Sequence, residues 1–222
     1  MTHTVHPYAH RLGILRDWKS RWFGTNQKYR DYLKGDVLIR EYLEKRLVGM
    51  HVADIHIERT DKMLRIIIQT ARPGLIIGRS GEGAEKLKKD LNKMMLKRGI
   101  KKENVELRVD IEEVRSPESN AQLVALMVKD GLEKRMAFRR VLKQMIDKVM
   151  ANRDVQGVRI RIGGRLNGAD MARTEELKKG RIPLQTFRAD IDFARVRANI
   201  AQGVLGVKVW IYKGEVFDKD AK

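Results

Sequence analysis

The chain has no cysteine among its 222 residues. Thiolate metal sites, thiol nucleophiles and disulfide scaffolds are therefore excluded, and the composition fits a reducing compartment. Long apolar runs are missing as well: the most apolar stretches, such as Ile66-Ile67-Ile68 and Leu75-Ile76-Ile77, fall far short of the ~20 residues that span a bilayer. The first twenty residues scatter His6, Pro7, His10, Arg11 and Asp17 and contain no apolar stretch of the signal-peptide kind. A cytoplasmic location without a membrane partner is expected. There is no internal repeat or low-complexity tract, and no Gly-x-x-x-x-Gly-Lys-Ser/Thr loop, which excludes a P-loop nucleotide site. Acidic residues are scarce: 29 Asp plus Glu face 47 Lys plus Arg, for a net charge of +18. Such an excess implies a polyanionic partner. A chain of this length buries roughly 70% of its unfolded surface, enough for one large or two small domains without metal or cofactor.

Pattern divides the chain into a basic, aromatic arm (residues 1–35), a first module (36–114), a second module (118–217) and a short tail (218–222). Arg115-Ser116-Pro117 forms the joint, because proline disfavours helix in the residue before it and Ser119 or Asn120 can cap the helix that follows. In the first module Ile39, Tyr42, Leu43 and Leu47 recur at helical spacing. Ala53, Ile55 and Ile57, then Leu64, Ile66 and Ile68, alternate around an Arg59-Thr60-Asp61-Lys62 turn, as an antiparallel hairpin does. A short apolar turn at Leu75-Ile76-Ile77, the sequence Gly78-Arg79-Ser80-Gly81 and a helix carrying Ala84, Leu87, Leu91, Met94 and Met95 come next. Val105, Leu107, Val109 and Ile111 then alternate as a final strand. The second module opens with two amphipathic helices, through Leu123–Leu132 and Phe138–Val149. Alternating segments at Val158–Ile162, Phe187–Phe193 and Val207–Ile211 supply a sheet beneath them. The fold class is α+β, with helices on a mixed sheet in the second module.

Gly78-Arg79-Ser80-Gly81 is the most specific local feature. Two glycines permit positive φ and remove side chains, so a nucleic-acid backbone can approach the amides of a helix start. A lone Gly-x-x-Gly is usually only a tight turn. Here the order helix, strand, strand, helix, helix, strand surrounds it, which is similar to the type-two KH module that clamps single-stranded RNA. Further cations suit phosphate. Arg159 and Arg161 should leave one strand face close to Arg165, while Arg139, Arg140 and Lys143 should cluster on the outer face of the second helix. Lys208, Trp210 and Tyr212 share a strand face that either meets a partner or is a half-buried aromatic stripe. Enzyme readings are weaker. Asp190 and Asp192 could hold a divalent ion for phosphodiester cleavage, but no third ligand is identifiable and pairing with arginines fits them better. His3, His6 and His10 have ligand-like spacing in an arm that suits RNA better than zinc.

A wider resemblance covers residues 5–217. Val5-His6-Pro7, Arg11-Leu12-Gly13-Ile14, Thr70-Ala71-Arg72-Pro73-Gly74, Phe138-Arg139-Arg140, Gly163-Gly164-Arg165-Leu166, Gly180-Arg181-Ile182-Pro183-Leu184 and Arg188-Ala189-Asp190-Ile191-Asp192 stand in the order of the bacterial-type small-subunit ribosomal protein three family, which this chain resembles. The resemblance implies a non-enzymatic role in the head of the small ribosomal subunit, binding its ribosomal RNA. It also implies neighbours in ribosomal proteins ten and fourteen, and a position where messenger RNA enters. There, with proteins four and five, the residues matching Arg139, Arg140 and Lys143 help open paired messenger. No homo-oligomer is implied. The chain departs from the family in carrying Arg79 and Ser80 where a lysine pair is usual, in a longer 94–104 segment, and in stopping soon after Phe217. The alternatives are a free KH protein of transcription or RNA maturation and, third, a metal-dependent nuclease.

Overall fold

The computed structural model describes residues 5–60, 62–99 and 105–217. They form two compact units, one of residues 18–115 and one that joins residues 5–17 to residues 116–217. The helix α1 (Pro7–His10) thus belongs to the second unit, although it lies at the start of the chain.

The first unit contains β1 (Ser20–Arg21), α2 (Asn26–Arg46), β2 (Val52–Arg59), β3 (Met63–Thr70), α3 (Pro73–Ile77), α4 (Glu82–Lys97) and β4 (Glu106–Glu113). Its sheet runs β1-β2-β3-β4, with β2 and β3 antiparallel and the outer pairings parallel. The hairpin closes as the alternation predicts, with Ile55 opposite Ile68 and Ile57 opposite Ile66; Asp61 of its expected turn lies outside the described residues. One sheet face is apolar because strand side chains alternate. Ile57, Leu64, Ile66, Ile68 and Leu107 pack there beneath Ile39 and Leu43 of α2 and Leu87, Leu91 and Met95 of α4.

The expected arm does not end at Gly35. Helix α2 starts at Asn26, and Gly35 and Asp36 lie inside it, buried. The segment before it is tied to the same unit: Arg40 donates to the carbonyls of Ile55 (2.6 Å) and Lys19 (2.9 Å) and to the Ser20 hydroxyl (2.8 Å). Trp22 donates through Nε1 to Asp36 (2.7 Å), which also accepts from Arg59 (3.0 Å), and Arg59 lies over the Tyr32 ring. The aromatic residues of this segment divide: Trp22 packs against Tyr29 and Tyr32, while Phe23 is 86% exposed.

In the second unit Asn120 caps α5 (Ala121–Glu133), its side chain accepting from the amides of Gln122 (3.0 Å) and Leu123 (3.2 Å). Helix α6 (Phe138–Met150) follows, then β5 (Gly157–Gly164), β6 (Arg173–Gly180), β7 (Ala189–Ile200) and β8 (Gly203–Glu215). The sheet order is β6-β5-β8-β7, and every pairing is antiparallel, where a mixed sheet was expected. A loop through residues 165–172 reverses the chain between β5 and β6, a two-residue turn reverses it between β7 and β8, and β8 returns beside β5 in the antiparallel sense. Strand β6, Arg-Thr-Glu-Glu-Leu-Lys-Lys-Gly, is almost wholly exposed and carries no apolar alternation. Both helices lie on the face formed by Val158, Ile160, Ile162, Val207, Val209 and Ile211. The opposite face remains without a helix layer, apart from residues 5–17 against β7. There His6 meets Phe193 edge-on, His10 stacks on Phe187 and Arg11 is fully buried. No helix among the described residues is long and apolar enough to cross a membrane.

Candidate nucleic-acid interface

Between α3 and α4 the backbone needs glycine chemistry. Gly78 ends α3 at φ +71°, its amide bonded to the carbonyl of Gly74 (3.0 Å), and Gly81 opens α4 at φ +83°. Ser80 itself adopts φ +51°, a left-handed conformation that costs a non-glycine residue about 1 kcal/mol. A tight approach holds the two helices together: a Cβ on Gly83 would stand 2.5 Å from the carbonyl oxygen of Ile76. Arg79 and Ser80 project into solvent, and neither has a side-chain partner among the described residues. The loop therefore presents an exposed guanidinium, a hydroxyl and the amide end of a sixteen-residue helix together. The first turn of α4 also carries Glu82 and Glu85, so the local field is less positive than a lysine pair would make it. Of the longer 94–104 segment, α4 accounts for residues up to Lys97, and residues 100–104 lie outside the described part.

The second group lies on α6, whose strongly amphipathic sequence buries Phe138, Val141, Leu142, Ile146 and Val149 and turns Arg139, Arg140 and Lys143 outward. They are not equivalent. Arg139 makes a two-pronged contact with Glu175 of β6, each N–O distance 3.2 Å, which holds that carboxyl below its ordinary range and raises the guanidinium further. Arg140 and Lys143 are exposed and have no acidic partner among the described residues.

The third group divides more sharply. Arg159 and Arg161 leave the open face of the second sheet, on the side opposite α5 and α6, so they and the α6 cations form separate surfaces. Arg159 is occupied: it donates to Glu176 (2.5 Å) and lies over the Trp210 ring, 5.0 Å from its centroid. Arg165 is folded onto its own loop, donating to the carbonyl of Ala169 (3.0 Å) and to Asp170 (3.2 Å). Arg161 alone of the three has no partner among the described residues. Trp210 and Tyr212 belong to a small cluster with Ile191, Ile182 and Leu184, so the aromatic stripe is half-buried.

The residues weighed for metal chemistry have structural partners. Asp190 pairs with Arg16 (2.6 Å), and Asp192 accepts from the Ala121 amide at the start of α5 (2.8 Å). His6 and His10 contact aromatic rings, His3 lies outside the described residues, and no group of metal-ligating side chains assembles among those described.

Sequence reading missed the two carboxylates of β6 that claim Arg139 and Arg159, because that strand has no apolar pattern to reveal it. Arg195 and Arg197, read from the sequence as arginines for Asp190 and Asp192 to pair with, are not so used: Asp190 takes Arg16 and Asp192 the Ala121 amide.

Comparison with known proteins agrees with the layout. A family model described as KH domain matches residues 38–119, and one described as Ribosomal protein S3, C-terminal domain, matches residues 128–211. Small ribosomal subunit protein uS3 of Endomicrobium trichonymphae is 46% identical over 222 residues, covering 100% of this chain and 92% of the relative. Its counterpart in Xanthomonas euvesicatoria pv. vesicatoria (strain 85-10) is 44% identical over 218 residues, covering 98% and 86%. That of Nitrosococcus oceani (strain ATCC 19707 / BCRC 17464 / JCM 30415 / NCIMB 11848 / C-107) is 42% identical over 219 residues, covering 99% and 94%.

Proposed function

The chain belongs to the small ribosomal subunit protein uS3 family, and from that premise we propose that its three groups of cations divide the work of holding ribosomal RNA and incoming messenger. Family membership makes it a structural constituent of the small ribosomal subunit that binds ribosomal RNA, with no enzymatic activity. The observation that carries this is identity of 42–46% along essentially the whole chain, both units included.

The finer reading is ours. It puts the protein in the head of the subunit, beside ribosomal proteins ten and fourteen, with α6 turned toward the path by which messenger RNA arrives and proteins four and five nearby. The exposed Gly78-Arg79-Ser80-Gly81 loop takes an RNA backbone at the start of α4. On α6, Arg140 and Lys143 grip messenger phosphates directly, and Arg139 joins them by exchanging Glu175 for a phosphate. Cations that hold separated strands disfavour their reannealing while the ribosome supplies the motion, so no catalytic step is needed. On the second sheet Arg161 is the member available to ribosomal RNA; Arg159 and Arg165 help chiefly by shaping the surface around it.

Sedimentation of the tagged chain tests the assignment: it should co-migrate with small subunits, and recovery only as a free protein or with polymerase would point instead to a free KH factor. For the messenger contact, Arg139→Ala, Arg140→Ala and Lys143→Ala together should leave subunit assembly and translation of unstructured messages intact but slow ribosomes at a hairpin. Passage at the unmodified rate would remove α6 from the messenger path. Arg79→Asp with Ser80→Asp should weaken RNA binding by the full chain at low salt, whereas unchanged affinity would make the loop merely a turn.

A further inference from the structure

Strand register in the second unit brings together cations that are remote in sequence. Arg161 of β5 lies directly opposite Lys208 of β8, and Lys208 lies directly opposite Arg195 of β7. Opposed residues of antiparallel strands share a face, and neighbouring strands are about 4.8 Å apart, so these three form a row about 10 Å long across the open side of the sheet. Arg197 extends the row along β7 in the next register, and Lys178 of β6 approaches from the other edge. The only carboxylate facing them from these strands is Glu176, and it is engaged by Arg159. None of Arg161, Lys178, Arg195, Arg197 and Lys208 has an acidic partner among the described residues.

Like charges directly opposite one another weaken a sheet. Several arginines elsewhere in the unit are matched, Arg16 with Asp190, Arg139 with Glu175 and Arg188 with Glu215, although among the described residues Arg140 on α6 is not. Glu176 lies directly opposite Arg161 at the β6 end of the row but is held by Arg159, so the row carries a local excess of positive charge, with Lys208, Arg195 and Arg197 left without a countercharge among the described residues. Beside it, Gly163 and Gly206 lie opposite each other, and a Cβ on Gly206 would meet nothing closer than 3.8 Å, so the surface next to the cations has a shallow gap two strands wide, flanked by Thr174, whose hydroxyl would stand 3.3 Å from a Cβ on Gly163, and by Arg197.

We propose that this sheet face is a docking platform for an RNA sugar-phosphate backbone, with Arg161, Lys208 and Arg195 as its principal phosphate contacts. It rests on the ribosomal reading above and adds a surface distinct from the loop and from α6. Charge complementarity selects the occupant: a row of unpaired cations beside a shallow gap fits a chain of phosphates. The aromatic side chains on this face do not serve as stacking platforms for bases. Trp210 already has Phe193 against it (5.2 Å between centroids) and Arg159 over it, and Phe193 has His6 at its edge. Contact is accordingly with the backbone, blind to sequence and sensitive to salt.

The test uses the full chain and a fluorescent 20-nucleotide oligouridylate, followed by anisotropy over a salt series. Replacing Arg161, Lys208 and Arg195 together by Gln should lower the slope of log affinity against log salt by about 2, at roughly 0.7 per phosphate contact on a single strand. Arg161→Lys with Arg195→Lys should retain the slope. The Gln variant should melt no lower than the unmodified chain, because like charges have been removed from opposed positions. Gly206→Gln, which has room and an ordinary φ, should weaken binding by obstructing the gap. An unchanged slope in the Gln variant, or a lowered melting temperature that accounts for its weaker binding, overturns the proposal. If the Arg79→Asp/Ser80→Asp and Arg140→Ala/Lys143→Ala variants lose oligouridylate while the Gln variant keeps the full slope, the platform fails and the ribosomal reading stands. Failure of the unmodified chain to bind at low salt would defeat both.

Discussion

Arg11 donates through Nε to the carbonyl oxygen of Ala189, 178 residues away along the chain, at 2.6 Å. The same guanidinium donates to the carbonyls of Pro7 (3.1 Å), Leu184 (2.9 Å) and Thr186 (2.9 Å). Burial lowers its pKa from the usual arginine value, partly opposed by Asp190. A planar fork of donors is what this nest of carbonyls requires, and an ammonium does not reproduce it. Arg11→Ala should destabilise the second unit by about 2–4 kcal/mol, because buried carbonyls lose their donor, and Arg11→Lys should recover little of it. Thermal unfolding reads the loss; a change under about 0.5 kcal/mol, the range of ordinary surface substitutions, would refute it.

In the first unit Asp36 holds both Trp22 and Arg59, and the side chains of Asp36 and Arg59 are nearly inaccessible. Asp36→Asn removes the countercharge and keeps the shape. Because breaking one partner of a buried pair strands the other, the loss should be about 3 kcal/mol in urea unfolding followed by tryptophan fluorescence. Trp22→Phe, which forfeits one hydrogen bond, should cost about 1 kcal/mol.

Glu175 titrates below the ordinary glutamate range because Arg139 hydrogen-bonds it, with Arg173 adding a smaller coulombic effect. Its contribution to stability is present above the unfolded pKa and disappears as pH falls through the lowered folded value. Carboxyl NMR titration of the full chain should show this depression, and Arg139→Gln should return Glu175 toward the usual value. An unchanged titration in the variant would mean that the contact does not persist in solution.

At the α3–α4 turn, Gly83→Ala should unfold at lower temperature than Gly74→Ala. The added methyl meets the Ile76 and Ile77 carbonyl oxygens at 2.5 and 2.8 Å in the first case and nothing within 4 Å in the second. Gly74→Ala should be neutral or stabilising by up to about 1 kcal/mol, since it reduces the freedom of the unfolded chain inside a helix. Equal melting temperatures would indicate that the turn relaxes freely.

Alternation was enough to place β2, β3, β4, β5 and β8, and helical spacing enough to place α4, α5 and α6, because each buries one apolar face. Helix α2 was read too short: Tyr29, Leu33 and Val37 are each about half exposed, so the pattern that burial normally writes begins only at Ile39. The site was legible as a set of cations but not in its pairings. Which arginines are free depends on Glu175 and Glu176 lying across from β5, and that register is set by β6, an edge strand whose side chains face water and follow no period. The row joining Arg161, Lys208 and Arg195 arises only when three strands are laid side by side.

Strand β8 occupies an interior position in its sheet, between β5 and β7. During synthesis the amino end emerges first and domains form as they become complete. Residues 18–115 hold every strand their sheet requires, so that unit can form while the ribosome is still producing the second. The second sheet has no centre until residues 203–215 have emerged, and residues 5–17, made before everything else described, have no β7 to settle on until residues 189–200 exist. The first described segment is thus among the last to find its place, and Arg11 stays hydrated until the carbonyls of residues 184–189 have emerged.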